Sequence, residues 1–164
     1  MTDDRVLVAV VRFESQEDAR RNAERPEQGA WWERMNQHFT GEITFRDCND
    51  VSVLVGGGSD DARFVQIIQG RVKDVERAHA LIEQSGSLIS TYRPDVLGAT
   101  IAIDAQGYFT ETVAFTSEVA AREAELQPMP AEIQNLMEEE MSLLEDARFL
   151  DLHQPWFASA KRQP

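Results

Sequence analysis

The chain has 164 residues with 42% hydrophobic, 27% charged and 8% aromatic side chains, and its formal net charge is −13. This composition suits one compact domain or two small halves that share a core, and it excludes a disordered or fibrous chain. The negative charge repels phosphate backbones and anionic membrane surfaces, so we expect neither nucleic acid nor a membrane as a partner.

The cysteine count and the N-terminal residues indicate the cellular compartment. Cys48 is the only cysteine, so an intramolecular disulfide is excluded and a thiolate metal cluster lacks ligands. Residues 1–4 include two aspartates where a secretory signal would be basic, and the apolar run 6–11 is too short to span a membrane. We therefore expect a soluble cytoplasmic protein without a metal site.

The first part of the chain predicts a strand, a helix and two further short strands. The first strand covers residues 5–13, and Ser15 with Asp18 three residues later begins a capping box for the helix. Strand 42–47 is followed by strand 51–55 after a short polar turn, which predicts an antiparallel hairpin.

The glycine tract at residues 56–58 is expected to be the flexible joint between the two parts of the chain. It lacks the lysine and the hydroxyl residue with which a phosphate-binding loop holds phosphate and magnesium, and two aspartates follow it at Asp60 and Asp61. A nucleotide site at this tract is therefore not expected.

Residues 62–153 predict the element order β-α-β-β-α-β. An N-cap at Asp74 begins the first helix, a turn that ends at Gly107 joins the two middle strands, and prolines split the second helix into two pieces. The predicted elements are a strand over 62–70, a helix from 75, strands over 96–103 and 108–116, helices from 117 and over 131–144, and a strand over 148–152. This order is the split βαβ, or ferredoxin-like, arrangement of an α+β protein.

Two stretches of the chain match at a constant offset of 102 residues, which carries Phe13 onto Phe115. Around these phenylalanines, Val-Arg-Phe-Glu-Ser at 11–15 resembles Val-Ala-Phe-Thr-Ser at 113–117. A helix follows each stretch and a short strand follows each helix. The shared order of elements favours an internal duplication over a chance match.

The duplication divides the chain into residues 1–58, a partial ferredoxin-like copy, and residues 59–164, a complete copy. The partial copy lacks the strand that would lie between strands 5–13 and 42–47. Three answers fit the sequence: strand 51–55 takes the empty place, a second copy of the chain completes the sheet, or the natural protein begins further upstream. We favour the first two answers.

Four segments of the complete copy carry a family resemblance. They are Phe-Val-Gln-Ile-Ile-Gln-Gly-Arg at 64–71, Arg-Pro-Asp-Val-Leu-Gly at 93–98, Phe-Thr-Ser-Glu at 115–118 and Phe-Leu-Asp-Leu at 149–152 with the Pro155-Trp156 that follows. These segments resemble the antibiotic biosynthesis monooxygenase-like family of the dimeric α+β barrel superfamily. The resemblance implies antiparallel sheets packed as a dimeric α+β barrel, so we expect a homodimer.

The resemblance also implies a class of function. Members of this superfamily include cofactor-free oxygenases that act on aromatic polyketides, haem-degrading enzymes and proteins with no known reaction, and each unit has a cavity between its sheet and its helices. The haem-degrading branch uses an Asn, a Trp and a His, whereas the strand over 62–70 carries Gln66 and Gln69 but no Asn. The resemblance therefore implies an oxygenase that needs no cofactor and acts on an aromatic or polyketide-like small molecule.

Six residues are candidates for lining a ligand site: Trp31, Trp32, His38, Tyr92, Arg93 and Glu111. Aromatic rings suit a flat ligand through stacking, a histidine can act as a general base, and a phenol with a guanidinium can hold an oxygenated ring. Core packing is the alternative for the two tryptophans, and Asp95 is close enough to neutralise Arg93.

Glu111 is the charge in the most unusual position of the sequence. On the predicted strand 108–116 it shares a face with apolar residues, and a carboxylate there needs a partner or its pKa rises. The run Glu138-Glu139-Glu140 is instead expected to be a solvated helix face.

Three hypotheses of function stay open at this point. The chain is an enzyme of the monooxygenase-like type, a binding or sensing protein with the same cavity, or an interaction protein whose sheet serves only assembly. An open pocket with convergent Trp, His or Tyr side chains favours the first two, and a cavity filled with apolar side chains favours the third.

Overall fold

The computed structural model describes residues 6–158, so the acidic residues 1–4 and the first residue of the predicted strand 5–13 lie outside the described residues. The helices and strands are α1 Gln16–Ala23, α2 Pro26–Asn36, β1 Asp50–Leu54, β2 Phe64–Val72, α3 Val75–Tyr92, β3 Val96–Ile103, β4 Tyr108–Phe115, α4 Glu118–Glu125, α5 Ala131–Leu143 and β5 Leu144–Leu152. A short 3₁₀ turn, Val55–Gly57, follows β1. The division into residues 1–58 and 59–164 stays a prediction.

The described residues form one five-stranded sheet with the order β1-β3-β4-β2-β5, and every pair of neighbouring strands is antiparallel. From β2 to β5 the order of elements is the predicted ferredoxin-like one, which confirms the α+β class. The predicted split of the second helix is also confirmed, because α4 ends at Glu125 and α5 begins at Ala131.

Serine and aspartate side chains cap the helices at the positions that the sequence indicates. Asp74 accepts a hydrogen bond of 2.9 Å from the backbone nitrogen of Arg77 at the start of α3. Ser15 and Ser117 each accept one of 3.1 Å from the backbone nitrogen three residues later. Each serine begins a helix of 8 residues, so the helix starts of the two matched segments share the same local structure.

The main core lies between one face of the sheet and the helices α3 and α5. Ile101, Ile103 and Phe109 are buried on this face and cluster with Ala78 and Ile82 of α3. Burial of a large apolar side chain contributes about 1.5–3 kcal/mol, so this layer supplies much of the stability. We call this side of the sheet the helix face.

The opposite side of the sheet, the open face, has a second apolar cluster formed by Ala62, Val65, Ile67, Ala114, Leu150 and Leu152. Val8 and Phe157 pack against this cluster from the two ends of the described chain. Arg12 donates a hydrogen bond of 2.9 Å to the carbonyl oxygen of Gly57 and one of 3.1 Å to Oγ1 of Thr100. The N-terminal segment therefore covers part of the face on which the expected barrel would pack a second sheet.

The predicted strands 5–13 and 42–47 are wrong within the described residues, because residues 6–13 and 42–47 form no strand. A strand needs a neighbour for its backbone hydrogen bonds, and the strand that would lie between these two is missing from the partial copy. The duplicated phenylalanines consequently differ in exposure: Phe13 is 43% exposed and Phe115 is 4% exposed.

One side chain of the segment 42–47, Arg46, contacts the end of the sheet in place of a strand ladder. The guanidinium carbon of Arg46 lies 3.4 Å from the centre of the Tyr108 ring, and its Nη1 lies 3.1 Å from Oδ2 of Asp104. Asp104 is buried at the turn between β3 and β4, so this pair attaches the segment to one end of the sheet.

The extra strand forms at Asp50–Leu54, but its partner differs from the predicted one. It pairs with β3, where Ser52 lies opposite Ile101, and not with segment 42–47. The glycine tract is packed against β3 instead of forming a flexible joint. Gly57 is buried, and a Cβ atom at Gly98 would lie 2.2 Å from the Gly58 nitrogen.

Candidate functional site

The two tryptophans of α2 form an aromatic cluster of the first copy. The Trp32 ring lies 6.2 Å from the Trp31 ring, 6.2 Å from Phe39 and 5.0 Å from Phe45. Trp31 is 45% exposed, and His38, in the turn after α2, is also exposed. The three predicted residues Trp31, Trp32 and His38 are therefore near one another in the chain, but no described groove includes them.

Tyr92 and Arg93 stand at the end of α3, as predicted, and they have different surroundings. Tyr92 is exposed. Arg93 donates two hydrogen bonds to Asp95, of 3.0 Å from Nε and 2.8 Å from Nη2. Both partners are largely buried, so the guanidinium is already neutralised, as the sequence spacing suggested.

Glu111 lies on the helix face of the sheet, in the middle of the apolar core. It is 9% exposed, and its neighbours across the strands are Ile68 on β2 and Ile101 on β3. Within residues 6–158 its carboxylate joins neither a hydrogen bond nor an ion pair. Burial raises the pKa of Glu111 to about 8, and the nearby Glu140 contributes to the rise.

Glu140 approaches the same space from α5, contrary to the expectation that the run 138–140 is solvated. It stands seven residues after the buried Ile133 and four after the half-buried Leu136, so it belongs to the apolar stripe that faces the sheet. Burial raises the pKa of Glu140 too. Helical spacing was the sequence signal that could have found this residue.

The other two glutamates of the run behave as solvated residues. Glu138 is exposed, and Glu139 is paired with Arg77 of α3 through contacts of 2.6 and 2.8 Å. The ammonium of Lys73 donates to the carbonyl oxygen of Ser142 at 2.9 Å. These contacts attach the end of α5 to the start of α3.

Glu111 and Glu140 therefore form a pair of acids in an apolar layer, which we call the carboxyl pair. In the described part of the chain no Lys, Arg or His forms an ion pair with either of them. A buried carboxyl whose pKa is near 8 exchanges its proton close to neutral pH, which is what a general acid or base requires. Residues 6–158 contain no group of three potential metal ligands.

Glu111 lines neither of two grooves at the surface of the described residues. One, of about 410 Å³, lies beside α4 and is lined in part by Pro94, Asp95 and Thr116. The other, of about 350 Å³, lies between β1 and α3 and is lined by Ser52, Val53, Leu54, His79, Ile82 and Glu83.

Comparison with solved structures identifies the fold. A candidate monooxygenase from Lactobacillus acidophilus NCFM is 12% identical, with a TM-score of 0.61 over 85% of this chain and 65% of that one. The chain shares the ferredoxin-like fold of these monooxygenase-like proteins. A candidate monooxygenase from Fusobacterium nucleatum has 8% identity and a TM-score of 0.61 over 85% of this chain and 64% of that one.

A monooxygenase from Streptomyces coelicolor, solved with nanaomycin D, is 21% identical over 62% of this chain and 95% of that one, with a TM-score of 0.48. The chain spans slightly less than two thirds of the Lactobacillus and Fusobacterium proteins. No family model matches the chain, and no curated protein matches it. Among the described residues, no helix is both long and apolar enough to span a membrane.

Proposed function

We propose that the chain is a cofactor-independent oxygenase that acts on an aromatic or polyketide-like small molecule, with Glu111 as the proton acceptor. The observation that carries this proposal is the buried Glu111 carboxyl, which has no cationic partner among residues 6–158 and a pKa raised to about 8. A base with this pKa is partly ionised near neutral pH and strong enough to remove a weakly acidic proton. The fold shared with two candidate monooxygenases supports the same class of reaction.

Glu111 lines neither groove, so the proposal requires α5 to move away from the sheet and admit the ring system. The proposed reaction then begins when Glu111 removes a proton from an activated CH2 group of the ring system. The resulting anion is electron-rich and reduces dioxygen directly. One oxygen atom then replaces the two hydrogens as a carbonyl oxygen, and the other oxygen leaves with both hydrogens as water. Glu140 is the second carboxyl that can return a proton to the departing hydroxide. The apolar surroundings of the two carboxyls exclude water and so strengthen the electrostatic interaction of each carboxyl with the reacting groups.

Oxygen uptake with anthrone tests this proposal, because anthrone has such a CH2 group and its oxidation product absorbs at a different wavelength. We expect the protein to consume one O2 per anthrone oxidised, above the rate with heat-denatured protein. Glu111→Gln should lower the rate by about 100-fold or more, because general base catalysis typically contributes that much. Glu138→Gln, on the exposed side of α5, is the matched control and should keep the rate.

Retention of the full rate by Glu111→Gln would reject Glu111 as the base while leaving the oxygenase class intact. Absence of uptake by the unaltered protein, together with quenching of tryptophan fluorescence by anthrone, would favour the second candidate. That candidate is a non-catalytic binding, sensing or assembly protein. It is supported by the exposed aromatic cluster, in which Phe45 is 72% exposed, and by grooves that open away from Glu111.

The cytoplasmic location and the homodimer both stay predictions. The oxygenase proposal does not depend on the homodimer, because both members of the carboxyl pair belong to one chain.

A further inference from the structure

Among residues 6–158, no strand pairs with the outer edge of β1. β1 is the first strand of the sheet and pairs on one side only, with β3, from Asp50 opposite Ile103 to Leu54 opposite Ala99. An exposed edge leaves backbone donors and acceptors available to a further strand.

The edge at the other end of the sheet is protected. β5 carries Glu145, Asp146 and Arg148 in exposed positions, and its pairing with β2 is irregular between Gln69 and Arg71. Asp146 also has a positive φ of 53°, which interrupts the strand. Charges and irregular backbone are common devices that prevent a sheet edge from pairing with another chain. β1 has no proline, no lysine and no bulge.

The sequence of β1 is complementary to itself. We propose that two copies of the chain pair antiparallel through β1, with the two-fold axis at Ser52, and thereby join their sheets into one continuous sheet. In this register Val51 lies opposite the partner's Val53, and Asp50 lies opposite the partner's Leu54. No like charges meet across the axis, because Asp50 is the only charge in the strand and its Oδ2 lies 2.9 Å from His79 Nε2.

Both faces of the joined strands gain contacts. On the open face, Val51 and Val53 are 48% and 54% exposed in the single chain, and each acquires an apolar neighbour. On the helix face, the groove of about 350 Å³ beside His79 and Glu83 is continued by the same groove of the second copy. A second copy fits this edge better than an unrelated peptide, because the same five residues of β1 supply both strands of the antiparallel pair.

Charge sets the strength of this contact and its response to salt. Each chain has a net charge of −13, so two copies repel each other at low ionic strength. Salt screens this repulsion over a Debye length of about 10 Å at 0.1 M. We therefore expect a weak dimer that becomes several-fold tighter between low and high salt, which is opposite to the response of a contact held by ion pairs.

A cysteine at the proposed axis tests the geometry directly. Paired strands place opposite Cα atoms about 4.5–5.5 Å apart, within the range that a disulfide spans. Ser52→Cys in a Cys48→Ser background should therefore form a covalent dimer under mild oxidation. Val119→Cys in the same background, on an α4 side chain that is 67% exposed, is the matched control and should stay monomeric.

Sedimentation of Val53→Lys tests the energetics. The two lysines would lie beside the axis, so the dimer should weaken at least tenfold while the unfolding transition stays in place. A chain that is monomeric at high concentration and high salt contradicts the proposal. A dimer that survives Val53→Lys and whose Ser52→Cys form does not crosslink contradicts it too. The disulfide result decides the question if Val53→Lys fails to fold.

Discussion

Glu111 and Glu140 interrupt two apolar stripes that face each other, and the sequence indicates only one of them. Glu111 lies two residues from Phe109 and two from Val113 on the same strand, so it shares their face of the sheet, and its burial follows from the two-residue period of side chains. Glu140 stands in a run of three glutamates, which is the pattern of a solvated helix face. Its burial depends on how α5 is rotated about its axis, and packing against the sheet decides that rotation.

Arg93 and Asp95 are a second case in which residue spacing alone predicted the contact. Their side chains are only 13% and 5% exposed, so removing one charge leaves the other buried without a partner. We expect Asp95→Asn to lower the free energy of unfolding by about 3 kcal/mol. Urea denaturation measures this change. Glu27→Gln, which disrupts the exposed Arg25–Glu27 pair, is the control and should have no measurable effect.

Equal stability of Asp95→Asn and the unaltered protein would show that the Arg93 pair is solvated. Arg93 would then be available to a ligand, as the sequence first suggested.

At the scale of elements, the sequence predicted the complete copy well and the partial copy poorly. Strand 96–103 was predicted with the bounds that the structure has. The strands at 5–13 and 42–47 have similar apolar patterns but do not form among the described residues. An apolar pattern states only that a segment can join a sheet, and a strand forms when a neighbouring edge is available. Helices α1, α3 and α4 begin where the sequence places them because their side-chain caps are local contacts.

Helices α1 and α4, which the proposed duplication matches to each other, test whether packing on the sheet differs between the two parts of the chain. Ala121 of α4 is fully buried with Phe64, Val96 and Phe115, whereas the duplicated position Ala19 of α1 is only half-buried. We expect Ala121→Leu to destabilise the protein by about 1–3 kcal/mol through overpacking. Ala19→Leu should have a much smaller effect. Thermal unfolding of the two variants measures the contrast, and equal losses would mean that α1 packs on a sheet as α4 does.

At the scale of the whole molecule, one ferredoxin-like sheet has two different faces. Helices α3 and α5 cover the helix face and enclose the carboxyl pair. The N-terminal segment, with Val8 and Arg12, covers part of the open face. The sequence predicted the order of the elements over residues 62–153 from local patterns. It did not predict how the partial copy lies on that sheet, because long-range contacts such as Arg46 with Asp104 determine that placement.

The carboxyl pair makes the stability of the whole molecule depend on pH. The pKa of Glu111 is about 8 in the folded chain and ordinary in the unfolded chain, so the folded state binds more protons between these two values. Stability is therefore highest below the unfolded pKa and falls as the pH rises toward the folded pKa. If the folded state binds one proton more than the unfolded state, the free energy of unfolding falls by about 1.4 kcal/mol per pH unit, which is the upper limit for one group.

Urea denaturation of the protein and of Glu111→Gln at a series of pH values from 5 to 8 tests the buried acid most directly. We expect the free energy of unfolding of the unaltered protein to fall by about 1 kcal/mol per pH unit over this range. The glutamine variant, which has no proton to lose at position 111 and keeps only the raised pKa of Glu140, should show a flatter profile and should be the more stable of the two at pH 8. Parallel pH profiles for the two proteins would contradict the account, because they would mean that Glu111 is ionised in the folded chain.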